Sequence, residues 1–147
     1  MKFSKLNKQL VNLRVMLEHL SESDEKEAGS KNAQLTMRLK TLFTISGNKN
    51  CTPSLLIERL AIAKSNLAII CKGLIDEGLI VSEKTENDKR NIYYNITPKG
   101  EEELSAYYEA LENKLCAAIN PKDIKLVEKK IDELTTLLSK TILKKKS

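Results

Sequence analysis

Apolar residues three and four positions apart predict an amphipathic helix at the start of the chain. A single helical stripe would hold Phe3, Leu6, Leu10, Leu13, Leu17 and Leu20, because residues at these spacings share one face of a helix. Lysine, asparagine and arginine occupy the other faces. Residues 21–32 are almost entirely polar, which predicts a loop or a frayed helix end.

Three shorter helices are predicted between residues 33 and 77. The first covers 33–46, stops at Gly47, and has Leu35, Leu39, Leu42 and Phe43 on one side. The second covers about 53–62 and begins at Thr52-Pro53, a hydroxyl cap followed by proline. The third covers about 64–77 and ends at Gly78, a typical helix-ending glycine. Its inward face would be Leu67, Ile70, Cys71 and Leu74.

A hairpin and two long helices are predicted after Gly78. Two strand-like pieces, 79–84 and 92–97, are joined by a polar tip at 85–91. Thr97-Pro98 then opens a helix to about Ile119, striped by Leu104, Tyr108, Leu111, Leu115 and Ala118, and Asn120-Pro121 opens a last helix. Two helices joined by a tight turn and followed by a hairpin form a winged helix-turn-helix. The predicted fold is therefore mainly α with a small β-hairpin wing.

The pattern divides the chain into three expected parts: an N-terminal helix and linker at 1–32, a winged helix-turn-helix at 33–100, and C-terminal helices at 101–147. The long apolar stripes at both ends exceed what the small central unit can cover, which favours a homodimer. An intramolecular bundle of these helices is the alternative. The predicted dimerisation residues are Leu6, Leu10, Leu13, Leu17, Leu111, Leu115, Ile131, Leu134 and Leu138.

Composition narrows the function. The chain has 147 residues and a net charge of +5, from 25 basic and 20 acidic residues. The longest apolar runs are five residues, whereas a membrane span needs about 20, so no membrane association is expected. Three widely spaced cysteines suggest a reducing cytoplasm rather than a disulfide framework. The single histidine, His19, leaves little material for zinc binding or histidine-based catalysis. We therefore expect no enzyme activity, no metal and no cofactor.

The most informative motifs lie within 52–100. In order they are Thr52-Pro53, Lys64-Ser65-Asn66-Leu67, Gly78-Leu79-Ile80, Asp88-Lys89-Arg90 and Ile96-Thr97-Pro98-Lys99-Gly100. Together they resemble the MarR family of bacterial transcription regulators, which has Asp-x-Arg in the wing and Leu-Thr-x-x-Gly after it. The resemblance implies a dimer that places one helix of each protomer in a major groove and each wing in the neighbouring minor groove. A repressor acting on a pseudopalindromic double-stranded DNA operator is the expected function.

The residues themselves suit DNA. The residues of the 64–77 helix that are not on its inward face, and that we expect to face DNA, are Lys64, Ser65, Asn66, Ala68, Ile69 and Lys72. Asn66 can pair bidentately with adenine, apolar side chains can touch a thymine methyl, and lysines supply charge for phosphates. Arg90 suits a narrow minor groove. Thr52, Asp88 and Lys89 complete the predicted DNA-binding set.

Two further expectations concern partners other than DNA. Many members of the family have arginine or another polar residue where this chain has Ile69. An exposed Ile69, together with a net charge of only +1 over residues 52–76 from three basic and two acidic residues, keeps open a winged helix used for protein contact. The family also binds small aromatic or lipophilic effectors in the cleft between the dimerisation helices and the winged helix. The aromatic residues offered for such a cleft are Phe3, Phe43, Tyr107 and Tyr108, with core packing as their alternative role.

Overall fold

The computed structural model describes residues 3–21, 36–84 and 91–144. Within these ranges the elements are α1 (Ser4–Ser21), α2 (Met37–Ser46), α3 (Pro53–Leu60), α4 (Lys64–Asp76), β1 (Ile80–Lys84), β2 (Ile92–Ile96), α5 (Pro98–Ala118) and α6 (Ile124–Lys144). A short 3-10 turn, Pro121–Asp123, precedes α6. The chain forms two compact units, 1–111 and 112–147. The predicted mainly α winged helix-turn-helix is confirmed.

Threonine caps fix where two helices begin. The Thr36 hydroxyl accepts a hydrogen bond from the backbone N–H of Leu39 at 3.2 Å, and the Thr52 hydroxyl accepts one from Leu55 at the same distance. Each cap satisfies a backbone donor that has no partner inside its own helix. The apolar pattern predicts a helix from residue 33. The cap at Thr36 explains why α2 begins at Met37 instead.

A single buried cluster holds the first unit together. It consists of Leu39, Leu42, Ile45, Cys51, Leu56, Leu67, Cys71, Leu74, Leu79, Ile80, Tyr94, Leu104 and Tyr107. The predicted inward face of α4 is confirmed, because Leu67, Cys71 and Leu74 are all in this cluster and Ile70 packs against it. Burial of these side chains fixes how α4 is rotated about its axis, and so decides which of its residues face outward.

Two aromatic side chains depart from the predicted stripes. Phe43 is 56% exposed, and α2 turns Ile45 into the core instead. On α5, Tyr107 is buried whereas Tyr108 is 46% exposed. These tyrosines lie three and four residues after Leu104, and both spacings are compatible with one helix face. Periodicity alone therefore could not choose between them.

The hairpin has a third, very short strand beside it. β1 and β2 pair antiparallel, in a register that places Ile80 opposite Ile96. Cys51 adds a bridge on the other side of β2: its N–H donates to the Tyr94 carbonyl at 3.0 Å and its carbonyl accepts from the Tyr94 N–H at 2.7 Å. This bridge ties the start of α3 to the hairpin. A one-residue strand has no alternating pattern, so it could not be predicted from the sequence.

The core contains a hydrogen-bonded tyrosine and two thiols. Burial raises the pKa of Tyr94 to about 12, and its hydrogen bond with Cys71 adds to the shift. Burial also raises the pKa of the Cys51 and Cys71 thiols. A higher thiol pKa means less of the nucleophilic thiolate at neutral pH. The two thiols behave as core side chains, whereas Cys116 is exposed.

The junction between α4 and α5 is closely packed. Gly78 has φ of +76°, and the Leu79 N–H donates to the Leu74 carbonyl at 2.9 Å, as in the glycine-ended helices called Schellman motifs. The Thr97 hydroxyl donates to the Gly78 carbonyl at 2.6 Å and accepts from the Gly100 N–H at 3.1 Å. One threonine therefore joins the end of α4 to the start of α5.

An arginine links three helices of the first unit. Arg38 on α2 donates from Nη1 to Glu103 of α5 at 2.8 Å and from Nε to Glu77, just after α4, at 3.1 Å. The hydrogen bond with Glu103 is the main cause of the raised Arg38 pKa, and Glu77 contributes further. The side chains are partly exposed, so each pair contributes at most about 1 kcal/mol.

Candidate nucleic-acid interface

The outward face of α4 presents the residues that the sequence had indicated. All six are exposed: Lys64, Ser65, Asn66, Ala68, Ile69 and Lys72. They form one continuous surface, because residues three and four apart are neighbours on a helix. This face combines groups that reach phosphates, groups that pair with base edges, and apolar groups.

The charge of this face is positive. Lys64 and Lys72 stand near its two ends, and no carboxylate occurs between them in the sequence. The nearest acidic groups on the C-terminal side are Asp76 and Glu77, and the Glu77 carboxylate is held by Arg38 at 3.0 Å. The local field over the face therefore favours an anionic partner.

The N-terminus of α4 lacks a side-chain cap. Ala63 is the N-cap residue, and no side chain accepts a hydrogen bond there, whereas the threonines before α2 and α3 do. The amides of the first helical turn carry partial positive charge and favour phosphate oxygens. The first turn of α4 is therefore able to donate hydrogen bonds to an external acceptor.

A tight turn and an open groove lie beside this helix. Ala61 closes α3 in the left-handed region, with φ of 51°, a conformation that glycine adopts more readily than alanine. The groove has a volume of about 500 Å³ and is lined by Met37, Ala61, Ile62, Ala63, Asn66, Ile69 and Ile70. The sequence predicted a turn here but neither its left-handed residue nor the groove, because no glycine marks the position and Met37 is distant in sequence.

Of the remaining predicted DNA contacts, the structure describes Thr52 alone. Thr52 is exposed and its hydroxyl oxygen caps α3, which leaves the hydroxyl hydrogen able to donate to a phosphate. Asp88, Lys89 and Arg90 lie outside the described residues. Their predicted role in the minor groove rests on the sequence alone.

The four aromatic residues predicted to bind an effector do not share one environment. Phe3, Phe43 and Tyr108 are exposed, whereas Tyr107 belongs to the core. The structure brings two of them together, since the rings of Tyr107 and Tyr108 meet edge to face with centroids 6.1 Å apart. Effector binding by these residues stays a prediction.

Apolar side chains remain exposed on the helices predicted to dimerise. On α1 they are Leu6, Leu10, Leu13 and Leu17, and on α6 they are Ile131, Leu134 and Leu138. Leu111 and Leu115 of α5 are half-buried, and Leu111 packs against the core of the first unit. Among the helices described, none is long and apolar enough to cross a membrane.

Comparison with known proteins places this geometry in a family. Residues 37–115 match the family model of the winged helix DNA-binding domain. No protein of curated function matches the chain in sequence. Solved structures match it in fold. NadR, solved in complex with 4-hydroxyphenylacetate, has a TM-score of 0.73 at 20% identity, over 97% of this chain and 95% of that one.

Two further regulators show the same fold. FabT of Streptococcus pneumoniae, solved in complex with DNA, has a TM-score of 0.59 at 18% identity, over 95% of this chain and 99% of that one. MarR has a TM-score of 0.59 at 20% identity, over 92% of each chain. The resemblance inferred from residues 52–100 is thus confirmed: the chain belongs to the winged helix DNA-binding domain family and has the fold of the MarR-type transcriptional regulators.

Proposed function

We propose that the chain is a sequence-specific transcriptional regulator that binds double-stranded DNA as a homodimer and represses the genes beside its operator. The observation that carries the proposal is the outward face of α4. It is positively charged, and three buried side chains on the opposite face hold it in place. The FabT structure, which contains DNA, supports this use of the fold.

The exposed leucines of α1 and α6 support the homodimer. Each of these helices exposes its leucines, and exposed apolar stripes of this kind favour a second copy of the chain. A two-fold dimer binds half-sites whose centres lie about 34–36 Å apart, one turn of DNA. The operator in this proposal is therefore a pseudopalindrome, and Arg90 of each wing enters the minor groove beside its half-site.

An effector of small aromatic or lipophilic type completes the proposal. NadR is solved with 4-hydroxyphenylacetate, and Phe43 and Tyr108 are aromatic side chains exposed on α2 and α5. Binding of such a molecule would change the spacing of the two α4 helices in the dimer and thereby release the operator. The regulator would act in the cytoplasm, where bacterial DNA lies.

The direct test is fluorescence anisotropy with the duplex upstream of the protein's own gene and with a scrambled duplex, each at two salt concentrations. Tighter binding to the upstream duplex that weakens steeply with salt is the expected result, because phosphate contacts release counterions. A second candidate function, protein contact through the winged helix, is favoured by the exposed Ile69. A dimer that shows no salt-dependent affinity for either duplex would favour that candidate.

Removing one lysine of the α4 face tests the assignment more sharply. Lys72→Ala is expected to weaken binding to specific and scrambled duplexes alike, and to reduce the salt slope by about one unit per protomer. The matched control is Lys40→Ala, which removes the same charge from the exposed surface of α2 and should leave the slope unchanged. Equal salt slopes for the two variants would show that Lys72 does not contact DNA phosphates.

A further inference from the structure

The centre of the α4 face is apolar. Ile69 is 71% exposed, more than any other large hydrophobic side chain in the described ranges. Its helical neighbours are Ser65 and Asn66 one turn before, and Lys72 and Gly73 one turn after. No core position explains this isoleucine, because the inward side of α4 is already filled. Its exposed side chain stands where a helix in a major groove meets the bases.

Gly73 leaves the helix surface bare beside Ile69. Apart from the adjoining residues and backbone of α4 itself, a methyl group added at Gly73 would meet no heavy atom of the described residues within 4 Å, so packing inside the protein does not require a glycine. Glycine within a helix nevertheless costs about 1 kcal/mol relative to alanine. A glycine that packing does not need permits a partner to approach the helix backbone closely. The partner that this geometry admits lies against the surface formed by Ile69 and Gly73.

The chemistry of base edges identifies what Ile69 can read. In the major groove, thymine is the base that presents a methyl group, whereas the other edges present hydrogen-bond donors and acceptors. Isoleucine pairs with none of those polar groups, and its contact would strip them of water without replacing the lost hydrogen bonds. Asn66, which with Ile69 lines the groove beside α4, can pair bidentately with adenine.

We propose that Ile69 is a specificity-determining residue that packs on the C5-methyl group of a thymine in each half-site, with Gly73 allowing the close approach. The inference rests on the proposed DNA-binding function and names the base group that its central residue selects. Asn66 then reads an adenine beside that thymine, so the middle of each half-site consists of A·T pairs.

Replacing thymine by uracil tests this contact with the change of a single methyl group. The probe is the duplex that the full-length protein selects from random sequence, with deoxyuridine placed at one thymine position at a time. At one position per half-site, the replacement is expected to weaken binding about fourfold, and about fifteenfold in both half-sites together, as burial of a methyl-sized group implies. The hydrogen-bonding edge of the base is unchanged.

Variants of the protein test the same contact by changing the isoleucine instead of the base. Ile69→Ala should lose the sensitivity to uracil at that position, and Ile69→Val should keep most of it. The matched control is Ile75→Ala, the same change near the C-terminal end of α4 and outside the six predicted contact residues, which should retain full sensitivity. Gly73→Ala is expected to weaken specific binding several-fold while the protein remains folded.

The possible failures are distinguishable. Suppose that binding is specific and salt-dependent, but that uracil at each position changes the affinity of wild type and of Ile69→Ala by the same factor. That result would overturn the thymine contact and leave the DNA-binding function intact. An absence of specific binding by the confirmed dimer would overturn both. In that case Ile69 belongs to a protein-contact surface.

Discussion

Replacing Gly100 with alanine is expected to lower the free energy of unfolding by about 3 kcal/mol, as overpacking at an unyielding site does. The added methyl would collide with the carbonyl oxygen of Leu79 and lie 2.6 Å from Cγ1 of Ile96. Neither neighbour can retreat easily. The Leu79 carbonyl accepts the Thr97 N–H at 3.0 Å, and Ile96 is paired with Ile80 across the hairpin.

Thermal denaturation followed by circular dichroism measures this loss, with an expected fall in Tm of roughly 10 °C. All variants should be compared at one protomer concentration, because the Tm of a dimer depends on concentration. Gly73→Ala is the matched control: it adds the same methyl in open space and should raise the stability by about 1 kcal/mol. If both variants shift Tm in the same direction, the crowding assigned to the junction of α4 and α5 is wrong.

Truncating Leu67 to alanine is expected to cost about 3 kcal/mol, within the usual range for a buried leucine. Leu67 is 2% exposed and belongs to the core cluster. The cost combines the lost transfer free energy of the side chain with the cavity left behind. Urea denaturation gives the difference as a lower midpoint at an unchanged slope.

Ile69→Ala is the control, because it removes a similar aliphatic side chain from the opposite face of the same helix. Its expected effect on stability is below about 0.5 kcal/mol, as is usual for surface positions. The pair thus separates the two faces of α4: Leu67 holds the helix in place, and Ile69 acts on a partner. Equal losses of stability for the two variants would show that Ile69 is covered in the folded protein.

Local patterns predicted most of the fold. The apolar stripes located the six α-helices that the structure describes, and the threonine-proline pairs marked where α3 and α5 begin, because helix ends depend on neighbouring residues. The outward face of α4 followed from the same periodicity. The rotation of α5 did not, since Tyr107 and Tyr108 fit one stripe equally well and only packing against the core selects Tyr107.

Contacts between residues that are far apart along the chain could not be predicted from the sequence. Arg38 meets residues 39 and 65 positions away, and no periodicity records such a pairing. The bridge between Cys51 and Tyr94 involves a single residue on one side. The sequence contains a motif of the Leu-Thr-x-x-Gly type but does not explain why its last position is glycine. The structure explains it, because the Leu79 carbonyl lies against Gly100. In the site, the left-handed Ala61 and the groove beside Ile69 depend on a turn that no residue type marks.

Cys51 and Cys71 are buried, whereas Cys116 is exposed. Thiol labelling of the unmodified chain can therefore measure how often the core opens. A maleimide reagent added to the folded protein should attach quickly at one thiol per protomer, and mass spectrometry would count the adducts. Attachment of a second and a third label requires the core to open, so their rates measure how often it does so in native buffer. The same experiment in the presence of operator DNA would report how strongly binding suppresses these openings, without any substitution in the protein.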